Sequence, residues 1–261
     1  MLHTVAKLHY EAEMSQIAIA RQLGLSTATI SRMLQRARAE GIVRIEVRDL
    51  SAPDTLGAVL AIGWGRAVRA VLEVGLPPIS GVLVVPATGG LQQQATHFQV
   101  NEFVRTAAAS MDGVPHFIHA PYLPSSPETR EAFLADSAIR SSVDLWDRID
   151  AAIVGVGLPW AINPPEASVA TLDEQRLLQA AGDVIRHYFD ENGALVDWSG
   201  EQRMIAASCA QLRKAALCVG VAADPSKAKA IIGASRAKLI NALVTDVRTA
   251  EAVLDLLPAT E

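Results

Sequence analysis

Hydrophobic positions near the start of the chain recur every three to four residues, whereas beyond about residue 58 they gather into short runs separated by helical stretches. Leu2, Val5, Leu8 and His9 line one side of a first helix. A second periodic segment begins after Ser15, whose hydroxyl suits an N-cap, and Gly24 stops it. A third begins at Ser26, again a capping residue, and runs to Gly41. Ile42, Val43, Ile45 and Val47, interleaved with polar residues, then predict a strand. The later apolar runs are 58–62, 82–85, 114–118, 151–156, 216–221 and 239–244. Their alternation with helical patterns is that of a mostly parallel sheet covered by helices. Thr171 to Glu174 has capping-box spacing, and Glu191-Asn192-Gly193 predicts a hairpin turn into Ala194 to Val196. The fold class expected is α/β, with a small helical domain over 1–50 and a larger one over 51–261.

Two helices cross at a helix-turn-helix angle when a small residue sits at their contact, a glycine permits the turn and apolar residues seal both flanks. Ala20 is the predicted contact, Gly24 the turn, and Ile17, Leu23, Leu25, Ile30 and Met33 or Leu34 the seal. Helical geometry then turns Thr27, Ala28, Ser31, Arg32 and Gln35 outward from a helix headed by Ser26. Small and polar residues at that end are what a recognition helix offers to base edges. Arg36 and Arg38, one turn or more beyond, are placed for phosphates, which position a protein without specifying sequence. Residues 42–47 fit a wing packed beside the helices. An ordinary helical hairpin with a solvated face is the alternative account of the same spacing.

Charge sharpens this picture. The whole chain carries −5, unpromising for a nucleic-acid binder, but residues 1–50 hold seven Lys/Arg against five acids and the remainder is −7. A basic head on an acidic body is expected when one end meets phosphates and the other does not. Half the residues are hydrophobic and 20% charged, which suits a folded chain and excludes wholesale disorder. Cys209 and Cys218 stand in apolar surroundings with no CxxC pair and no histidine at ligand spacing, so neither a metal site nor a disulfide framework is suggested. No run reaches the roughly 18 apolar residues of a membrane span and no signal peptide is visible, so a cytoplasmic location without membrane contact is expected.

In open parallel sheets ligands sit beyond the carboxyl ends of the strands. Four exits carry candidate groups: Gly63, Gly65 and Arg66; Gly89 and Gly90, followed by Asn101 and Glu102; Gly155 and Gly157; and Lys227. Glycines let backbone N–H groups approach a phosphate or a sugar hydroxyl, though each pair is equally a packing turn. Asp224 can cap and Pro225 suits the first turn of the helix that Lys227 starts. A cation there opposes the helix dipole, which a bound anion would explain and a solvated lysine would also allow. His97, His116, His119 and His187 have no nucleophile at motif spacing, and Asp144, Asp147 and Asp150 read as a solvated helix face. No catalytic, metal or cofactor signature appears, so no enzyme activity is expected.

Several segments together resemble the SorC or DeoR-type sugar-binding bacterial transcriptional regulators, with nearly the whole chain covered. They are SQIAIARQLGLSTATISRMLQRARAEGIVRIEV (15–47), LAIGWGRAV (60–68), VVPATGG (84–90), FLADSAIR (133–140), AAIVGVG (151–157) and KAKAIIGASRAKLINALVTD (227–246). The resemblance implies a winged helix-turn-helix and an effector domain with the fold of glucosamine-phosphate and ribose-phosphate isomerases and CoA-transferases. It also implies operator DNA, a sugar, polyol or sugar-phosphate effector, and a homo-oligomer, dimer or tetramer, in carbohydrate metabolism. Carried over, Gly63, Gly65, Arg66, Gly89, Gly90, Gly155, Gly157 and Lys227 look like effector contacts. After Gly157 the sequence Leu158-Pro159-Trp160 stands where the isomerases carry their acidic and histidine motif, which favours a sensor over the alternative of an isomerase with a DNA-binding head. Two departures stand out: Ala222 and Ala223 replace glycines usual in the family, and only Leu50 to Gly57 remain where it usually has a helix and the first strand of the effector domain.

Overall fold

A computed structural model of the chain describes residues 1–10, 12, 14–39, 57–90, 99–159, 174 and 177–257. Its contacts divide it into two compact units, Met1–Ala52 and Pro53–Glu261.

The first unit is three helices: α1 (Leu2–Tyr10), α2 (Gln16–Leu23) and α3 (Thr27–Ala39). The Ser15 hydroxyl accepts the Ala18 amide at 3.2 Å, satisfying one of the amides a helix start leaves without a partner. Gly24 closes α2 at φ 65°, a left-handed conformation that glycine adopts without a Cβ penalty. Val5, Ile19, Ala20, Ile30 and Leu34 form the core of this unit, with Leu23, Leu25 and Met33 packed at its margin. Ile17, predicted in the seal, is instead 64% exposed. The 3.6-residue period lets α2 bury only one stripe, and the contact residue Ala20 brings Ile19 rather than Ile17 to it. The predicted wing, 42–47, lies outside the described residues, as do Leu50 to Leu56, His97, Trp160 and the predicted cap 171–173.

The second unit is built on a sheet whose main path runs β3 (Val114–Pro115), β2 (Leu83–Pro86), β1 (Val59–Ile62), β4 (Ile149–Gly157), β7 (Leu217–Val221), β8 (Ala242–Val244), with every pair parallel. A hairpin of β5 (Gly182–Val184) and β6 (His187–Phe189) adds antiparallel to the end of β4, Val156 opposite Val184 and Gly157 opposite Asp183. Along β1, Val59 and Ala61 enter one core while Leu60 and Ile62 enter another, because helices cover both faces of a parallel sheet. Helices α4 (Arg66–Val74) and α5 (Val100–Met111) supply the second core, whereas α7 (Ser137–Val143), α8 (Cys209–Lys214) and α9 (Ala228–Arg236) supply the first. Helices α6 (Pro127–Ala135) and α10 (Val247–Leu256) complete the unit.

The predicted turn at Glu191 to Gly193 forms, with the Asp190 carboxylate accepting the Asn192 and Ala194 amides, both at 2.9 Å. The predicted strand 114–118 shrinks to two residues at a sheet edge. Asp144, Asp147 and Asp150 do not share a helix face. Asp144 and Asp147 sit in a 3-10 turn, Asp147 accepting from Gln211 at 2.7 Å, and Asp150 lies on β4, where it accepts the Val59 amide at 2.9 Å.

Candidate functional site

On α3, Thr27, Ala28, Arg32, Gln35 and Arg36 are exposed and Ser31 is half-buried, so the predicted face is presented outward. Ser26 starts the helix: its hydroxyl accepts the Thr29 amide at 3.1 Å and is hydrogen-bonded to the Thr29 hydroxyl at 2.8 Å. Arg32 folds along the helix, its Nε donating to the Ala28 carbonyl at 3.4 Å.

In the second unit the carboxyl ends of β1, β4 and β7 bring together Gly63, Gly65, Arg66, Gly155, Gly157 and Lys227. The Gly63 amide donates to Ile153 O at 2.8 Å, and Gly155 pairs with Val221 in the β4–β7 ladder. Gly65 precedes α4, and Arg66 is its exposed first residue. Lys227 closes the short 3-10 turn that Asp224 caps and Pro225 opens, as the sequence suggests, but its side chain reaches back so that Nζ donates to Val156 O at 3.0 Å. Burial pushes the Lys227 pKa down, Asp183 opposes this, and Arg66 adds to it. Two cations, Arg66 and Lys227, and two carboxylates, Asp183 and Asp224, therefore share a region small enough for their charges to interact.

Asp183 was not singled out by the sequence. It is 7% exposed, and its Oδ2 accepts the Arg186 amide at 3.0 Å. Burial raises its pKa against the lowering effect of Arg186 and Lys227. Its carboxylate stands so close to Gly157 that a Cβ there would collide with Oδ1, and a larger residue would require the Asp183 side chain to shift.

The β2 exit is separate. Gly89 donates its amide to Ile205 O at 2.8 Å, and Gly90 donates to Ala120 O at 2.9 Å while accepting from the Tyr122 amide. The Asn101 amide clamps the backbone of Ile118 from both sides at 3.2 Å, and Glu102 pairs with Arg105 at 3.3 Å. Gly90, Asn101 and Glu102 still line one cavity of about 260 Å³ with Arg105, Phe117 and His119. The predicted contacts thus fall into two groups, one around Lys227 and one around Asn101.

Beneath the first group lies a buried charge cluster that periodicity cannot reveal. Glu174 is fully buried and its Oε1 accepts from the Tyr122 and Tyr188 hydroxyls at 2.9 and 3.0 Å. Arg186, 2% exposed, reaches the same oxygen at 3.7 Å, with its guanidinium over the Trp64 and Tyr122 rings at 5.7 and 5.8 Å. Since Trp64 lies between Gly63 and Gly65, the cluster braces the loop that carries Arg66. The available signal was an Asp and an Arg, with His187, inside the mostly apolar run 182–189. Among the described residues no three His, Cys, Asp or Glu side chains gather to hold a metal, and no helix is long and apolar enough to cross a membrane.

Against known proteins, a family model described as "Putative sugar-binding domain" matches residues 12–255. The sorbitol operon regulator of Klebsiella pneumoniae is 31% identical, covering 96% of each chain. That alignment runs over 307 positions against 261 residues here, so at least 46 positions are gaps in this chain. The erythritol catabolism regulatory protein of Brucella abortus is 27% identical over 95% of this chain and 94% of that one. Among solved structures, the full-length Klebsiella sorbitol operon regulator superposes with a TM-score of 0.70 at 30% identity, over 97% of this chain and 98% of that one.

Proposed function

This chain belongs to the SorC/DeoR-type family of sugar-binding transcriptional regulators, and from that premise we propose that its operator affinity is set by a phosphorylated sugar or polyol held at the strand ends around Lys227. The observation that carries this reading is the meeting of Arg66 and Lys227. Arg66 is exposed and Lys227 half-buried; Asp183 and Asp224 offset part of their repulsion, and a bound anion would offset more of it. Arg66 stands at the start of α4, where the helix dipole adds to the attraction, and Gly65 beside it has open space where a side chain would stand, while Gly63, Gly155 and Gly157 let the strand ends pack closely beneath. The separate cavity lined by Gly90, Asn101 and Glu102, with Gly89 beside Gly90 in the chain, is a second candidate position, where the Glu102 carboxylate could accept from sugar hydroxyls.

At the other end, Thr27, Ala28, Ser31, Arg32 and Gln35 would read bases, with Ser26 at the helix start and Arg36 on phosphate. A homodimer or tetramer in the cytoplasm, reading a partly palindromic site in or near a carbohydrate operon, fits this assignment. The test is a footprint on DNA upstream of the protein's own operon, repeated with a panel of hexose and hexitol phosphates and their unphosphorylated parents. Two protected half-sites, with affinity shifted only by the phosphates, are expected. A single asymmetric stretch would count against the dimer, and an equal response to unphosphorylated sugars would count against the anion.

A further inference from the structure

Helix α10 presents two apolar faces where a surface helix needs one. On its inner side Thr249 is fully buried and Val253 packs against the first core, which seats the helix on α9 and on the 3-10 turn Pro225–Lys227. On another side Val247 and Leu254, seven positions apart and so on one line along the helix, are 73% and 65% exposed. Half-buried Ala250 lies between them and Leu257, exposed, follows just past the helix end. Residues 247, 250, 254 and 257 have the alternating three- and four-residue spacing of a seam by which one helix packs on another. The apolar surface continues upstream. Leu243 and Val244, both exposed, precede Val247 by four and three residues on β8, an edge strand that pairs among the described residues only with β7. An edge strand with exposed apolar side chains is a surface that folded proteins cover.

The order of residues along α10 indicates what covers it, because the seam is complementary to itself. Laid antiparallel across a two-fold axis near Ala252, Val247 of one copy stands opposite Leu257 of the other and Ala250 opposite Leu254, small against large. Arg248 then falls one residue, about 1.5 Å along the axis, from Asp255 of the other copy on the same flank, and symmetry repeats that pair. Both side chains are exposed. Glu251, on that flank too, approaches its own counterpart, so the pairing carries one repulsion that loss of this carboxylate relieves. A stable dimer takes about 800 Å² from each partner, more than one face of a 10-residue helix provides, and the β8 side chains enlarge the patch toward that size. We propose that a second copy of this chain docks here, α10 on α10 in antiparallel order, with β8 of each copy at the border. This names the surface for the self-association put forward above and rests on that reading only in expecting copies to associate.

The test measures the mass of the full chain in solution by light scattering over a concentration series, without DNA or effector. Leu254→Asp is expected to weaken self-association about hundredfold or more, because the substitution places a carboxylate in the centre of the seam. Arg248→Glu should weaken it about tenfold, and Arg248→Glu with Asp255→Arg should restore it, whereas Glu251→Gln should tighten it. The substituted side chains are exposed, and an unchanged thermal midpoint shows that the fold is intact. If Leu254→Asp unfolds the unit, the charge exchange still decides. A wild-type chain that stays monomeric at micromolar concentration, a mass unaffected by Leu254→Asp, or a double variant no better than Arg248→Glu alone overturns the proposal. An unaffected mass with two operator half-sites still protected sinks this interface alone; a monomer that protects one half-site sinks the dimer reading as well.

Discussion

Replacing Lys227 with methionine keeps most of the side-chain length and removes the charge. One of the three ammonium protons is committed to Val156 O at 3.0 Å, which leaves two for a ligand anion. A single charge-assisted hydrogen bond contributes about 1.5–3 kcal/mol, so affinity for a phosphorylated effector should fall about ten- to hundredfold. The fold should tolerate the change. Because the folded-state pKa of Lys227 lies below its unfolded value, the folded chain binds fewer protons in that window, and stability rises with pH there. Methionine carries no such penalty, and this offsets the lost bond to Val156, worth about 1 kcal/mol. Sugar phosphates are titrated into a preformed protein–operator complex, wild type beside variant, while operator affinity without effector is measured separately. An unchanged midpoint would refute the reasoning and make Lys227 a structural donor to β4. A loss as large for unphosphorylated sugars would show that the ammonium meets hydroxyls rather than an anion.

Glu174→Gln keeps an acceptor for Tyr122 and Tyr188 but removes a carboxylate 3.7 Å from the buried Arg186, and should cost about 3 kcal/mol or more in urea unfolding. A loss below about 1 kcal/mol would mean that Asp183 and the aromatic rings suffice. Gly157→Ala drives a methyl into the Asp183 carboxylate and should destabilise the larger unit by about 1–3 kcal/mol, read from its thermal midpoint with the three-helix unit unaffected. Arg32→Ala should weaken operator binding more than binding to random DNA, whereas Arg36→Ala should weaken both alike and lower the salt slope by about 1. Identical behaviour of the two variants would mean that the face assigned to α3 is rotated.

The three-helix unit was legible because local chemistry and tertiary contact agree there. Ser15, Gly24 and Ser26 punctuate the chain where the helices begin and end, and Ala20 marks the crossing. Its one error, Ile17, arose because a short helix allows several apolar residues to claim one stripe and only the partner helix chooses among them. Strands β1, β2, β4 and β7 were legible as runs buried on both faces. The Asp183 and Arg186 cluster was not. Ile185 and Arg186 turn the hairpin at φ 44° and 71°, where a sequence signal would normally be Asn or Gly. Tertiary contacts hold that strained turn, through the Asp183 carboxylate and the Glu174 pair, and none of those partners is near in sequence apart from Asp183. Lys227 and Arg66 were visible singly, but residues 161 positions apart are brought together only by the parallel order of β1, β4 and β7.

The geometry of the proposed anion site would let it sense a sugar phosphate without transforming it. Isomerisation needs a group that takes a proton from substrate carbon or oxygen, within hydrogen-bond reach and with its lone pair free. Asp183 is a buried carboxylate that acts on Lys227, yet its Oδ2 is engaged by the Arg186 amide and its Oδ1 faces Gly157. Burial raises its pKa, and Arg186 and Lys227 act against the rise. What remains available to a ligand is cationic, Arg66 at a helix start and Lys227 with two unspent donors. Such groups bind an anion and contribute nothing to deprotonating it.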